Sequence, residues 1–192
     1  MFRQLLDWLV PGRTPRQPPN PPATGEADPT AGWTARPALP LKLHLPAGIL
    51  NDRISLGDHY RVLSRLGRPG NPQPYAADRF QYPSMGLTVE GTRERIEYFE
   101  FIIGPEAWES DVTPALVTLE FPDGQQLRLD SQTDEATLTA YFGPPLERDA
   151  DEDEIIVRHE LDGKLLDWEL TPQGKLKRLH VELPLPPPAS TG

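Results

Sequence analysis

The chain has no cysteine among its 192 residues. That absence excludes disulfides, a thiol nucleophile, thiolate metal ligation and an acylated cysteine anchor, so stability has to come from packing. There is also no run of about 18 apolar residues, which excludes a membrane-spanning helix. Basic residues are in short supply: nineteen Lys plus Arg stand against twenty-nine Asp plus Glu, a formal net charge of −10. Four of those basic and three of those acidic groups fall in residues 1–40, which leaves fifteen and twenty-six, net −11, for residues 41–192. Nucleic acid needs a basic surface, so the acidic part argues against it as a partner, whereas a basic protein is what such a charge would steer.

Proline is plentiful. It accounts for 24 residues, nine of them between 11 and 40. Residues 11–40 therefore read as a linker, extended and poorly packed, because proline can neither continue a helix nor donate to a sheet. Ahead of it, Phe2, Leu5, Leu6 and Leu9 recur at helical spacing and predict an amphipathic helix over residues 1–10, stopped by Pro11 and Gly12. A helix this short needs something to lie on, be it its own domain, a partner protein or a membrane surface with Trp8 at the interface. Asp7 interrupts the apolar run that a secretory signal would need, so the expected location is the cytoplasm. At the other end, Pro184 to Pro188 predict a disordered tail over residues 185–192.

Between linker and tail the chain resembles itself. Residues 41–69 align without a gap over 117–145, an offset of 76, matching Leu43 with Leu119, Pro46 with Pro122, Gly48 with Gly124, Asp58 with Asp134, Gly67 with Gly143 and Pro69 with Pro145. The match resumes with 87–92 over 166–171 and 96–103 over 176–183. The expected organisation is a repeat unit over 41–115 and a second over 116–184. Alternating Leu41, Leu43 and Leu45 read as a strand, with a second strand near 49–56. A helix over 57–66 should turn Tyr60, Leu63 and Leu66 inward and stop at Gly67 and Pro69. Extended runs follow near 79–82, 86–90 and 96–103. The order recurs near 116–121, 125–130, 134–142, 155–160, 165–170 and 176–183, with Asp162-Gly163 as a hairpin turn. Short strands joined by hairpins predict an α+β fold of two units, each a small antiparallel sheet with one helix on one face.

Comparing the two copies assigns faces, since a position buried in both must be apolar in both. Phe99, Phe101 and Ile103 stand over Leu179, Val181 and Leu183, all apolar, and are expected inside. Tyr98, Glu100 and Ile102 stand over Arg178, His180 and Glu182, and are expected outside. The same parity places Leu87, Val89, Leu166 and Trp168 inside, and Lys42, His44, Thr88, Glu90, Thr118, Glu120, Asp167 and Glu169 outside. Tyr98, Ile102, Arg178, His180 and His44 on such an open sheet face are the candidate partner-binding residues, because exposed aromatic, apolar and arginine side chains mark recognition surfaces.

Chemistry-bearing motifs are scarce. The four histidines, His44, His59, His159 and His180, include no pair at helical metal spacing, and His159 and Glu160 point to opposite faces of a strand. The run Asp149 to Glu154 lacks the glycine that a calcium loop places at its sixth position, where Glu154 stands, and reads as a solvated loop. No nucleophile elbow or phosphate-binding loop occurs. The expectation is a non-enzyme with no cofactor and no metal.

Leu66, Gly67 and Pro69, followed by Phe80, Tyr82, Gly86, Leu87 and Val89, resemble the helix-on-sheet modules of β-lactamase-inhibitor-like proteins and of the SmpA/OmlA envelope-protein domain, over about residues 41–183. That resemblance implies binding through the sheet without catalysis. The function expected is a protein-binding module such as a bacterial toxin-neutralising immunity protein. The alternative is a membrane-peripheral scaffold anchored by residues 1–10.

Overall fold

The computed structural model describes residues 28–71, 74, 78–92, 94–107 and 111–183. The expected helix over 1–10, the linker up to residue 27 and the tail over 185–192 lie outside the described residues.

Among the described residues, twelve strands form two sheets. The first contains β1 (Leu41–His44), β2 (Ile49–Leu50), β3 (Ile54–Ser55), β7 (Val117–Glu120) and β8 (Gln126–Leu129), in the order β3-β2-β1-β7-β8. The second contains β4 (Arg79–Tyr82), β5 (Leu87–Gly91), β6 (Ile96–Ile102), β9 (Glu147–Ala150), β10 (Ile155–Leu161), β11 (Lys164–Leu170) and β12 (Leu176–Glu182), in the order β4-β5-β6-β12-β11-β10-β9. The fold is thus mostly sheet, α+β or mainly β in class. Each sheet draws strands from both halves of the chain, which replaces the expected small sheet per half. Pairing is also not uniformly antiparallel: β1 and β7 run parallel, with Leu41 beside Val117 and Leu43 beside Leu119.

One helix per half does not hold either. Only one α-helix, α1 (Glu135–Phe142), is present among the described residues, and the first half has a 3-10 helix at Tyr60–Arg65 instead. The reason is visible in spacing. Tyr60, Leu63 and Leu66, each 3% exposed or less, recur at intervals of three, which lines them up in a helix of three residues per turn. In α1, Leu138 and Phe142 are four apart, and the Asp134 side chain caps the first turn by accepting from the Thr137 amide at 3.0 Å. Those bonds, with Lys175, hold the Asp134 carboxyl down at a pKa of about 2.

The expected strand over 49–56 is split, because Asn51 and Asp52 both adopt positive φ, 50° and 61°, and form a turn between β2 and β3. Conversely, part of the acidic run is strand: β9 covers Glu147–Ala150. It is an edge strand with all four residues exposed, so it lacks the apolar alternation by which strands are recognised.

Residues 28–36 depart from the loosely packed linker. Trp33 stacks on Tyr60 and Phe80 at centroid distances of 6.5 and 6.4 Å, Thr30 is buried, and the Arg68 amide donates to the Thr34 carbonyl at 3.2 Å. The core is one continuous cluster that joins Leu43, Leu50, Leu119 and Leu129 of the first sheet to Phe99, Phe101, Trp168, Leu179 and Val181 of the second. Each such side chain contributes roughly 1.5–3 kcal/mol by leaving water.

Candidate functional site

The face of the seven-stranded sheet that points away from this core carries a row of polar side chains from edge to edge. Pairing sets Gln81 beside Thr88, Thr88 beside Glu100, Glu100 beside His180, His180 beside Asp167, Asp167 beside Arg158 and Arg158 beside Glu147. Two residues along each strand, on the same face, Ile102 lies beside Arg178, Arg178 beside Glu169, and Tyr98 beside Glu182.

Most charges on this face are paired. Arg158 grips Asp167 with two hydrogen bonds of 2.7 Å and donates a third, of 3.1 Å, to Glu147. The Asp167 bonds raise the Arg158 pKa further. Arg79 meets Glu90 at 2.6 Å. Glu169, only 5% exposed, lies 2.6 Å from Lys177 and 3.5 Å from Arg178. Burial pushes the Glu169 pKa up, but the charges of Arg178, Lys177 and His180 outweigh it and the net shift is downward. Glu154 shares Lys177 at 3.3 Å and moves the other way, raised by burial and by the neighbouring Glu169 charge.

At the centre of the row the pairing thins out. Tyr98 donates to Glu100 at 3.5 Å, and its ring lies 5.4 Å from that of His180. Arg178 Nη2 donates to the Ala107 carbonyl at 3.2 Å, from the 3-10 turn Pro105–Ala107 that follows β6. His180 Nε2 and Arg178 Nε are buried and make no hydrogen bond. The chain that returns after this turn passes close to Gly86, at φ 57°, where a Cβ would sit 2.5 Å from the Ala115 amide nitrogen.

Four of the five sequence-predicted residues, Tyr98, Ile102, Arg178 and His180, therefore come together outside the main core, at the expected parity. They are not on an open surface: Ile102 is 7% and His180 6% exposed. Long charged side chains lie along the sheet and cover one another, and the 105–107 turn reaches Arg178. His44 is elsewhere, on the outer face of the five-stranded sheet. Its Nδ1 is 2.8 Å from Glu120, and its Nε2 meets Asp52 at contact distance but without hydrogen-bond geometry. Sequence reasoning placed Asp167 and Glu169 on the outer face but missed the Arg158–Asp167 clamp. The signal was available, because a two-residue Asp162-Gly163 turn pairs Leu161 with Lys164 and so Arg158 with Asp167.

No group of three or more His, Asp or Glu side chains among the described residues is arranged to hold a metal ion. A cleft of about 320 Å³ lies near Asp28, Thr30, Arg68 and Asn71, but Asp28 Oδ1 already accepts from the Thr30 amide and hydroxyl, both at 2.8 Å. No helix among the described residues is long and apolar enough to cross a membrane. Comparison of the chain with protein-family models, with curated proteins and with solved structures gives no match.

Proposed function

We propose that this protein is a non-enzymatic, cytoplasmic protein-binding module that engages a partner through the polar face of the seven-stranded sheet, as a toxin-neutralising immunity protein would. The observation that carries this reading is the pair of unpartnered nitrogens, His180 Nε2 and Arg178 Nε, between the Tyr98 ring and Ile102. A buried donor without an acceptor costs about 1–3 kcal/mol, which a partner's acceptor would recover. Arginine and tyrosine are also the side chains that most often carry interface energy. The remaining acids and bases of the face are tied to each other, which favours recognition over proton transfer.

We also read the two halves as copies of one unit. In support, Val89 pairs with Phe99 as Trp168 pairs with Leu179, and both hairpins shift register at the equivalent place, Glu90/Gly91 and Glu169/Leu170. On this reading the Glu100–His180 pair lies on the approximate two-fold axis between them.

Affinity capture with the full chain from the native cell, run beside Arg178→Ala and Tyr98→Ala, tests the proposal. A stoichiometric partner recovered by the wild type and lost from both folded variants is the expected result. Recovery of no partner, or equal recovery by the variants, overturns it.

A further inference from the structure

The open main-chain edge of β9 and the acidic turn beyond it lie apart from the cluster of Tyr98, Ile102, Arg178 and His180; β9 reaches the polar row only through Glu147, which Arg158 holds. The Asp151 amide donates to the Glu154 carbonyl at 3.0 Å and closes the β9–β10 hairpin. Antiparallel alternation from that pair turns the main-chain groups of Asp149 toward β10 and those of Arg148 and Ala150 outward. The Arg148 N–H and C=O and the Ala150 C=O thus face the open edge, while the Ala150 N–H donates to the Asp149 carboxylate at 2.9 Å. Leu146, which precedes β9 directly, is 65% exposed. The exposed Asp149, Asp151, Glu152 and Asp153 surround the edge with negative charge. The nearby Arg148 is committed to Glu135 by hydrogen bonds of 2.7 and 3.2 Å.

Two copies of this acidic edge repel each other, which blocks self-pairing, whereas a cationic strand is attracted. We propose that the β9 edge is a docking site for an extended basic segment of a partner protein, added to the sheet as an eighth strand. Main-chain hydrogen bonds to Arg148 and Ala150 hold the segment, and alternate lysine or arginine side chains meet Glu147 and Asp149 on the polar face. Apolar side chains between them turn to the opposite face, next to Leu146.

The test uses the full chain and two labelled peptides of equal charge, Lys-Val-Lys-Val-Lys-Val-Lys and Lys-Pro-Lys-Pro-Lys-Pro-Lys, followed by fluorescence anisotropy at low and at 0.5 M salt. The valine peptide is expected to bind saturably, at least about tenfold more tightly than the proline peptide, and to weaken with salt. Ala150→Pro places a ring on the outward amide while leaving the β9–β10 ladder intact, and should cost about tenfold in affinity with an unchanged Tm. If that variant melts lower, Asp149→Lys with Glu152→Lys decides instead, and should abolish binding. Equal binding of the two peptides, undiminished binding by the deciding variant, or no binding of the valine peptide each overturns the proposal. None of these outcomes touches the polar-face reading, whose partner-binding residues lie on β12 and β6, three and four strands away.

Discussion

At the middle of the seven-stranded sheet both faces are hidden from water, and for opposite reasons. On one face Phe99, Phe101, Trp168, Leu179 and Val181 are fully buried in the common core. On the other, Glu100, Asp167, Glu169 and His180 are 5–8% exposed, yet no residue of that face belongs to the core cluster. The first face is buried because leaving water is favourable. The second is buried at a cost offset by ion pairs and hydrogen bonds, and that offset is incomplete at His180 and Arg178. Exposure alone would not separate them; strand parity does.

Mutations on the two faces should diverge accordingly. Phe99→Ala or Phe101→Ala leaves a cavity in the core and should lower unfolding free energy by about 3–5 kcal/mol in denaturant titrations. If either is tolerated, the core assignment is overturned. On the polar face, Arg158→Met strands Asp167 and should cost about 3 kcal/mol, while adding Asp167→Leu should restore most of it. A double variant no more stable than the single one would mean that the clamp does more than neutralise a buried charge.

Trp33→Ala should cost about 2 kcal/mol, read as a drop in Tm, because the ring is half-buried against Tyr60 and Phe80. An unchanged Tm would return residues 28–36 to the loose linker suggested by their prolines.

His159 gives the core face a pH dependence. Its Nδ1 accepts from the Trp168 indole at 3.1 Å and its Nε2 donates to the Gly143 carbonyl at 3.2 Å, so the neutral ring fits and the imidazolium does not. Burial lowers its pKa below the ordinary 6.5. The unfolded chain then binds the proton more readily, so this contribution is complete above about pH 6.5 and is lost as pH falls through the lower folded value. His159→Phe should flatten the fall in stability over that window, measured by thermal melts in a pH series. The smallest effect is expected from Tyr98→Ala, about 1 kcal/mol, since Tyr98 packs outside the core. A larger loss than for Phe99→Ala would invert the two faces.

Much of this was legible in the chain itself. Eleven of the twelve strands among the described residues coincide, to within a residue, with expected extended runs, and Asp162-Gly163, Gly143 and the Asp134 cap act where local turn and capping chemistry puts them. The inner and outer assignments at 87–90, 98–103, 166–169 and 178–183 followed from comparing equivalent positions, and Tyr98, Ile102, Arg178 and His180 do share a face. What was not legible has two causes. β9 is an exposed edge without apolar alternation, and Trp33 packs on residues distant in sequence.

Local sequence determined where strands start, where they turn and which side of each is apolar, because backbone preferences and alternation act over a few residues. Only the tertiary structure decided which strands meet. The parallel β1–β7 pair and the β6–β12 junction link residues 76 or more apart, and nothing within either strand specifies its distant neighbour. The same holds for the burial of Glu169 and His180, which depends on cations that those pairings bring alongside.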